Sequence, residues 1–446
     1  MPSDAGLLRA VDEAVSARRS DLVEATQAMV RFKTVSVDLS PGSEHRENEE
    51  AALQAWAAER LVKMGCVVDQ WEPDPTELRD HPMIPRWHHW RGRPITVGTL
   101  RGGGGGRSLI VNGHIDVVDP GDPARWSSPP FAAEVSGDRI VGRGTVDMKG
   151  GIAAALVALE TLVESGVRLA GDVVFQVVSD EETGGMGTIA AAERGYRADA
   201  AVVPEPSGLD LWTSTRGIVH ARLAVPGRSA HAEVNQPDWR DGGGVNANHK
   251  ALGIASALVA LGERRRGVSH PVVGPPSLQL TALRGGEFIS NVPERCEISI
   301  NATYLPTQVD ERGFGSTLRR ELQETVARAC ADDEWLRLNP PEWTWLLDYP
   351  PGEVEATAEI VAAARSASAA VGHDSRLLGL DSGYDGALLT GLYGIPSPAF
   401  GPGAIDLAHA TDEAIAIDDL VDAGRAYARL LVDWCGERGA GMRRFS

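Results

Sequence analysis

The chain reads as an α/β protein, with a mainly parallel sheet flanked by helices and a smaller α/β domain inserted into it. Three observations predict this. Apolar strand-like runs alternate with helical runs through the first half. The texture changes near Gly217 to β-α-β-β-α. After Pro350 the first texture returns. At 446 residues the chain exceeds one ordinary compact domain and suits two.

Taken in order, Leu7, Leu8, Val11, Ala14 and Val15 lie at helical spacing, but acids interrupt them and no signal-peptide core forms. The glycine run at 102–106 lacks the G-K-[ST] ending of a phosphate loop and is expected to be a hairpin tip. RSLIVNG (107–113) and DVVFQVVS (172–179) read as buried strands, with a helix over 148–165 between them. An acidic loop, a helix over 188–194 and the strand DAAVVPE (199–205) follow. In the insert, IVHARLAVPG, the helix NANHKALGIASALVALGERRR, the strands SLQLTALRGG and ERCEISINATYL, and a helix from ERGFG lead to WLRLN. As a closing strand, WLRLN would complete a ferredoxin-like sandwich. An alanine-rich helix over 353–371, the strand-like IPSPAFGPG and the helix LVDAGRAYARLLVDWC finish the chain. The expected boundaries are 1–214 with 349–446 for the main domain and 215–348 for the insert.

Composition excludes several partners. A net charge of -19 repels phosphate backbones and anionic membranes, which argues against nucleic acid and lipid surfaces. No stretch approaches the ~18 apolar residues of a membrane span. The four cysteines, Cys66, Cys296, Cys330 and Cys435, form no CxxC pair and are expected to be reduced, buried thiols in a cytoplasmic protein. The sequon Asn301-Ala302-Thr303 is read as unused.

The chemistry lies where strands end. His114 and Asp116 stand in N-G-H-I-D, Asp147 in G-R-G-T-V-D-M-K-G-G before a helix, and Glu181 and Glu182 in S-D-E-E-T-G-G. Glu205 stands in V-P-E-P-S, and His409 in G-P-G-A-I-D-L-A-H-A-T-D-E. Any one of these motifs alone is commonplace. Each group, however, lies just beyond the carboxyl end of an expected strand or in the loop leading from it, the edge where open α/β sheets form ligand sites. Imidazoles and carboxylates converging there would repel or stay desolvated without a cation. Such nitrogen and oxygen donors suit zinc, with cobalt or manganese as alternatives.

Over roughly residues 20–435 the ordered set of motifs resembles the metallopeptidase family of acetylornithine deacetylase, succinyl-diaminopimelate desuccinylase, aminoacylase-1 and carboxypeptidase G. It looks closest to the acetylornithine deacetylase-like branch. Further matches are G-R-S-A-H at 227–231, G-V-N-A at 244–247 and Asn291-Val292-Pro293. The resemblance implies two divalent ions bridged by Asp147, with His114 and Glu205 completing one site and Glu182 and His409 the other. Asp116 would orient His114, and Glu181 would be the general base for metal-activated water. His231 would reach from a partner subunit to stabilise the oxyanion, so the insert would be a lid and dimerisation domain. Asn246 and Asn291 would support substrate or lid. The implied activity is cleavage of the amide bond of a small N-acylated molecule. Dipeptidase or carboxypeptidase action, and hydrolysis of a heterocyclic amide such as a formylated aminopyrimidine, are the alternatives. An inactive scaffold would lack the base or a ligand, and here all are present.

The pattern departs in one place. Several relatives carry a carboxylate-holding arginine on the lid strand where this chain has Thr303, which offers no bidentate fork. Arg216, Arg284 and Arg295 are the candidates to replace it. Trp87-His88-His89-Trp90 and Trp343-Thr344-Trp345 are read first as packing under loops, and second as a pocket wall or subunit contact; His88 and His89 are not expected to be ligands.

Overall fold

A computed structural model describes residues 4–36, 48–85 and 88–436. The chain packs into two units. The first takes the described residues up to Thr213, Gly352–Leu378 and those from Tyr384 onward; the second takes Ser214–Pro351 and Gly379–Gly383.

The first unit is built on a five-stranded sheet in the order Val67–Trp71, Ile95–Leu100, Val173–Val178, Leu109–His114, Ala200–Val202. The last three pair in parallel and are buried throughout, which is why they read as continuous apolar runs. The α/β class and the parallel centre match expectation. The first two strands add an antiparallel edge, so the sheet is mixed.

That edge corrects the reading of the glycine run. Residues 102–106 join Ile95–Leu100 to Leu109–His114, and Val173–Val178 lies between those strands, so the run cannot be a hairpin tip. It crosses the end of the intervening strand, with Gly103 and Gly104 N–H donating to Leu169 and Ala170 carbonyls at 2.8 Å. A Cβ on Gly102 would lie 2.4 Å from the Ala170 oxygen, so glycine is needed for close backbone approach.

The helix Gly150–Glu164 is buried over nearly its whole length and packs against Ile417–Cys435 and Arg19–Arg31. Ile417–Cys435 presents Leu420, Ala423, Tyr427, Leu431 and Trp434 to the interior at helical spacing. Each fully buried leucine contributes about 1.5–3 kcal/mol by leaving water. The alanine-rich helix is shorter than its composition suggests, Glu359–Ala370. Pro350-Pro351-Gly352 precedes it, and Val354 N–H donates to the Thr213 carbonyl at 2.7 Å, which keeps the lead-in extended. IPSPAFGPG forms isolated bridges from Ala399 to Val203 and Trp212 instead of a strand.

The second unit is a four-stranded antiparallel sheet ordered Leu278–Gly285, Arg295–Tyr304, Gly217–Pro226, Glu342–Tyr349, with helices Ala247–Arg265 and Ser316–Cys330. This is the β-α-β-β-α-β arrangement of a ferredoxin-like sandwich. Leu223, Ile254, Leu258, Ile298 and Leu322 lie in its core.

Its closing strand is not WLRLN. Glu334–Leu338 is a short helix, because the Asp333 carboxylate accepts the Leu336 N–H at 3.1 Å as an N-cap. Pro340 and Pro341 then end the helix, and EWTWLLDY supplies the strand.

Trp343 and Trp345 stack at 4.8 Å and pack on the core of this unit. Trp90 is buried with His88 edge-on to it; Trp87 lies outside the described residues. All four cysteines are buried and free. In the sequon, Asn301 Nδ2 meets His220 Nε2 at 3.1 Å and Thr303 is buried, so the sequon is part of a strand and not an exposed loop. Among the described residues no helix is long and apolar enough to cross a membrane.

Candidate metal centre

Two donor groups form at the carboxyl edge of the parallel strands, and Asp147 belongs to both. His114, Asp147 and Glu205 make one group; Asp147, Glu182 and His409 make the other. His114 ends its strand with Nε2 3.1 Å from Asp147 Oδ1. The other Asp147 oxygen lies 3.2 Å from His409 Nε2, which is also 3.2 Å from Glu182. Glu205 Oε1 stands 3.9 Å from His114 Nε2. Glu181 belongs to neither group, yet its Oε2 lies 3.9 Å from the same nitrogen.

Local backbone sets these positions. Asp147 lies in the irregular segment Thr145–Lys149 ahead of the buried helix, and its peptide bond to Met148 is cis. Asp180 and His409 both adopt left-handed backbone, at φ 68° and 60°, which non-glycine residues rarely do. Left-handed backbone at non-glycine residues persists where surrounding contacts over-determine it, and it clusters at functional sites.

Asp116 supports the centre in a different manner from a simple carboxylate–imidazole pair. His114 Nδ1 is 2.9 Å from the Asp116 main-chain oxygen, while the Asp116 carboxylate stands 3.6 Å away, beyond hydrogen-bond reach. That carboxylate instead accepts the N–H groups of Glu181 and Glu182, each at 3.2 Å, and the Ser36 hydroxyl at 3.0 Å. Asp116 therefore grips both the histidine and the acidic loop.

Electrostatics favour a bound cation. Burial drives the Glu181 and Glu205 carboxyls well above the ordinary range, and neighbouring carboxylates add to it; the facing His114 only partly offsets this. Burial also raises Glu182. Burial pulls His114 down, but Asp116, Asp147, Glu181 and Glu205 raise it well above its usual value. Hydrogen bonds to Asp147 and Glu182 push His409 up to about 10. Burial opposes ionisation of Asp147, and the two histidines outweigh it and hold the carboxyl low. Without metal the cluster must hold protons to limit its own repulsion. Nitrogen and oxygen donors arranged around a shared carboxylate fit two divalent ions, which would take the place of those protons.

Several residues had no role assigned from sequence. Glu413 Oε1 accepts the N–H groups of Val146 and Asp147 at 2.8 and 3.1 Å, and Arg143 joins Glu413 to the His409 carbonyl. Both lie inside the quoted motifs, but no spacing rule marks them. Asp180 is ion-paired with buried Arg93, itself 2.8 Å from Glu50, and lies 3.1 Å from His88 Nε2. Burial raises Asp385 to about 7; its Oδ2 accepts the Thr188 hydroxyl at 2.7 Å.

The remaining residues of interest lie in the second unit. His231 and Asn291 face each other across a two-residue antiparallel ribbon, Ala230–His231 with Asn291–Val292, and both are exposed. Asn246 caps Ala247–Arg265, its side-chain oxygen accepting from Asn248 and His249 N–H. The Thr303 hydroxyl accepts Ser277 N–H at 2.8 Å inside its own unit. Arg216 donates to the Pro275 and Asp381 carbonyls, whereas Arg284 and Arg295 are exposed.

A sheet edge that gathers two donor groups and a partly buried glutamate defines a metal-dependent hydrolase. Residues 110–433 match Peptidase family M20/M25/M40, and the chain belongs to that family. It is 28% identical over 446 residues to N-formyl-4-amino-5-aminomethyl-2-methylpyrimidine deformylase of Halalkalibacterium halodurans, covering 96% of this chain and 97% of that one. It is also 28% identical over 424 residues to succinyl-diaminopimelate desuccinylase of Thioalkalivibrio sulfidiphilus, covering 92% and 98%. Among solved structures, an M20 family metallo-carboxypeptidase from Sulfolobus solfataricus superposes with a TM-score of 0.70 at 17% identity, covering 92% of this chain and 98% of that one. The chain is an amide hydrolase of this family.

Proposed function

We propose that the protein removes a small acyl group from the amine of a compact substrate, with N-formyl on an aminomethyl-pyrimidine as the first candidate. The observation that carries the reading is Glu181. It sits beside the shared donor set, belongs to neither donor group, and burial beside other carboxylates raises its proton affinity.

In this reading His114, Asp147 and Glu205 hold one ion and Asp147, Glu182 and His409 the other, with zinc favoured by the donor types. Bound divalent ions would polarise the amide carbonyl and acidify water. Glu181 takes the proton from the attacking water and delivers it to the leaving nitrogen. Asp116 keeps His114 and the Glu181–Glu182 main chain in register.

The choice of acyl amine rests on two supports. The likeness to the pyrimidine deformylase runs end to end. Thr303 stands where relatives place a carboxylate-holding arginine, and its hydroxyl is engaged with Ser277. A substrate without a carboxylate suits that arrangement.

A homodimer through the second unit is part of the proposal. Leu252 and Val259 on the helix Ala247–Arg265, and Leu283 on the edge strand Leu278–Gly285, are exposed apolar residues beside an unpaired sheet edge. His231 of the partner subunit would then supply oxyanion stabilisation, with Asn291 beside it. Four free buried thiols accord with a reducing compartment such as the cytoplasm.

The test is a hydrolysis panel on metal-reconstituted protein, comparing N-formyl, N-acetyl and N-succinyl amines with dipeptides. Preferred turnover of N-formyl aminomethyl-pyrimidine is expected. Turnover of dipeptides alone would overturn the deacylase reading.

A further inference from the structure

Two of the three donors of the Asp147, Glu182 and His409 site, Asp147 and His409, come from segments far apart in sequence, and one buried ion pair ties them together. Glu413 is 1% exposed and Arg143 2%. Glu413 Oε1 accepts the Val146 and Asp147 N–H groups, so it fixes the main chain of the shared donor. Glu413 Oε2 receives one arm of Arg143. The other arm of Arg143 donates to the main-chain carbonyl of His409 at 3.1 Å. The Gly142 N–H donates back to the Glu413 carbonyl at 2.8 Å, and the Arg143 guanidinium lies 5.3 Å from the Trp126 ring centre, which limits its movement.

We infer that the Arg143–Glu413 pair is a positioning device that sets the distance between Asp147 and His409, and so fixes ion affinity at the Asp147/Glu182/His409 site more than at the other. The chemistry follows from geometry. An arginine fork cannot bend, so its two arms hold the Glu413 carboxylate and the His409 carbonyl at a fixed separation. The same carboxylate holds the amide of Asp147. His409 needs such a brace, because its ring is half exposed and its backbone is left-handed. His114 has its own fixed place at the end of a buried strand, so the first site depends on the pair only through Asp147. Outer hydrogen-bond partners of metal ligands typically govern affinity by 10- to 100-fold.

The inference rests on the two-ion reading, and the experiment separates the two. Apo protein would be titrated with Co(II) while visible absorption and heat are recorded, for the unaltered chain, Glu413→Gln and Arg143→Lys. Glu413→Gln keeps an acceptor for the two amides but turns an N–H donor toward Arg143. The unaltered chain is expected to take up two ions in two steps. Glu413→Gln should weaken one step by about 10- to 100-fold and shift its absorption bands, with the other step changed far less. Arg143→Lys, which retains the charge without the fork, should give the same pattern in milder form. Circular dichroism and a melting curve on each variant would restrict the comparison to folded protein. Two unchanged steps and an unchanged spectrum in a folded Glu413→Gln protein would overturn the inference, even with a lowered Tm. Equal weakening of both steps would also overturn it. If the unaltered chain binds fewer than two ions, the two-ion reading itself fails.

Discussion

At the sheet edge of the first unit, His114 is 1% exposed, and its ring meets a main-chain oxygen on one side and Asp147 on the other. In the second unit, His231 ends a two-residue strand and is exposed, its Nδ1 accepting the N–H of Glu233 at 3.3 Å. The first histidine is held by the fold whether or not a ligand is present. The second has no comparable support within its own unit. In the function proposed above, a donor that must hold a cation is built rigid in advance, whereas a group that acts only on a developing charge can wait on the surface for its setting to assemble.

The widest separation between the two regions is expected on removing metal. Chelation should abolish turnover completely and leave the second unit's fold untouched, and re-addition of Zn(II) should restore activity. The stability gained from metal should also depend on pH. An acid whose native value lies above its unfolded one loses stability as pH climbs past the unfolded value, and Glu181 and Glu205 are of that kind without metal. A histidine with a raised native value, such as His409 at about 10, contributes stability below its unfolded value and loses it as pH rises. Both signs agree, so metal-free protein should melt lower at pH 8 than at pH 6, and the Tm gain on metal addition should be larger at pH 8. Equal gains at both values would argue against this cluster.

Next in size is Glu181→Ala, which should reduce kcat by about 10²–10⁴-fold while two ions remain bound. Loss of metal along with activity would move Glu181 from base to ligand. His231→Ala should cost about 10²–10³-fold in kcat without altering ion uptake. Mixing it with the Glu181→Ala chain should restore part of the activity if the histidine acts across a dimer, and a mixture as inactive as its components would place His231 elsewhere. The smallest change is expected from Asn246→Ala. Loss of the helix cap should lower stability by about 1 kcal/mol in denaturant melts. A rise in KM greater than a few-fold would show that Asn246 also contacts substrate.

Much of the first region could be read from sequence because its physics is local. Buried parallel strands appear as unbroken apolar runs, and His114, Glu181, Glu182 and Glu205 follow directly on such runs. What escaped depends on partners distant in the chain. The carboxylate of Asp116 spends itself on the amides of the acidic loop, a contact that only the folded edge creates. Glu413 and Arg143 are 270 residues apart. The antiparallel edge, which changes the meaning of the glycine run, depends on which strand lies next to which. WLRLN misled for a local reason: a capping aspartate before it and two prolines after it outweigh its apolar spacing.

The ribosome delivers this protein in an order that its architecture makes consequential. His114, Asp147, Glu181, Glu182 and Glu205 emerge first, the whole second unit is then made, and His409 follows only after it. Before His409 is made, His114 is the one imidazole that either donor group holds, and the Asp147–Glu182 side is carboxylate alone. A product shortened before His409 would lack one donor of the Asp147, Glu182 and His409 group, however well its other parts had folded.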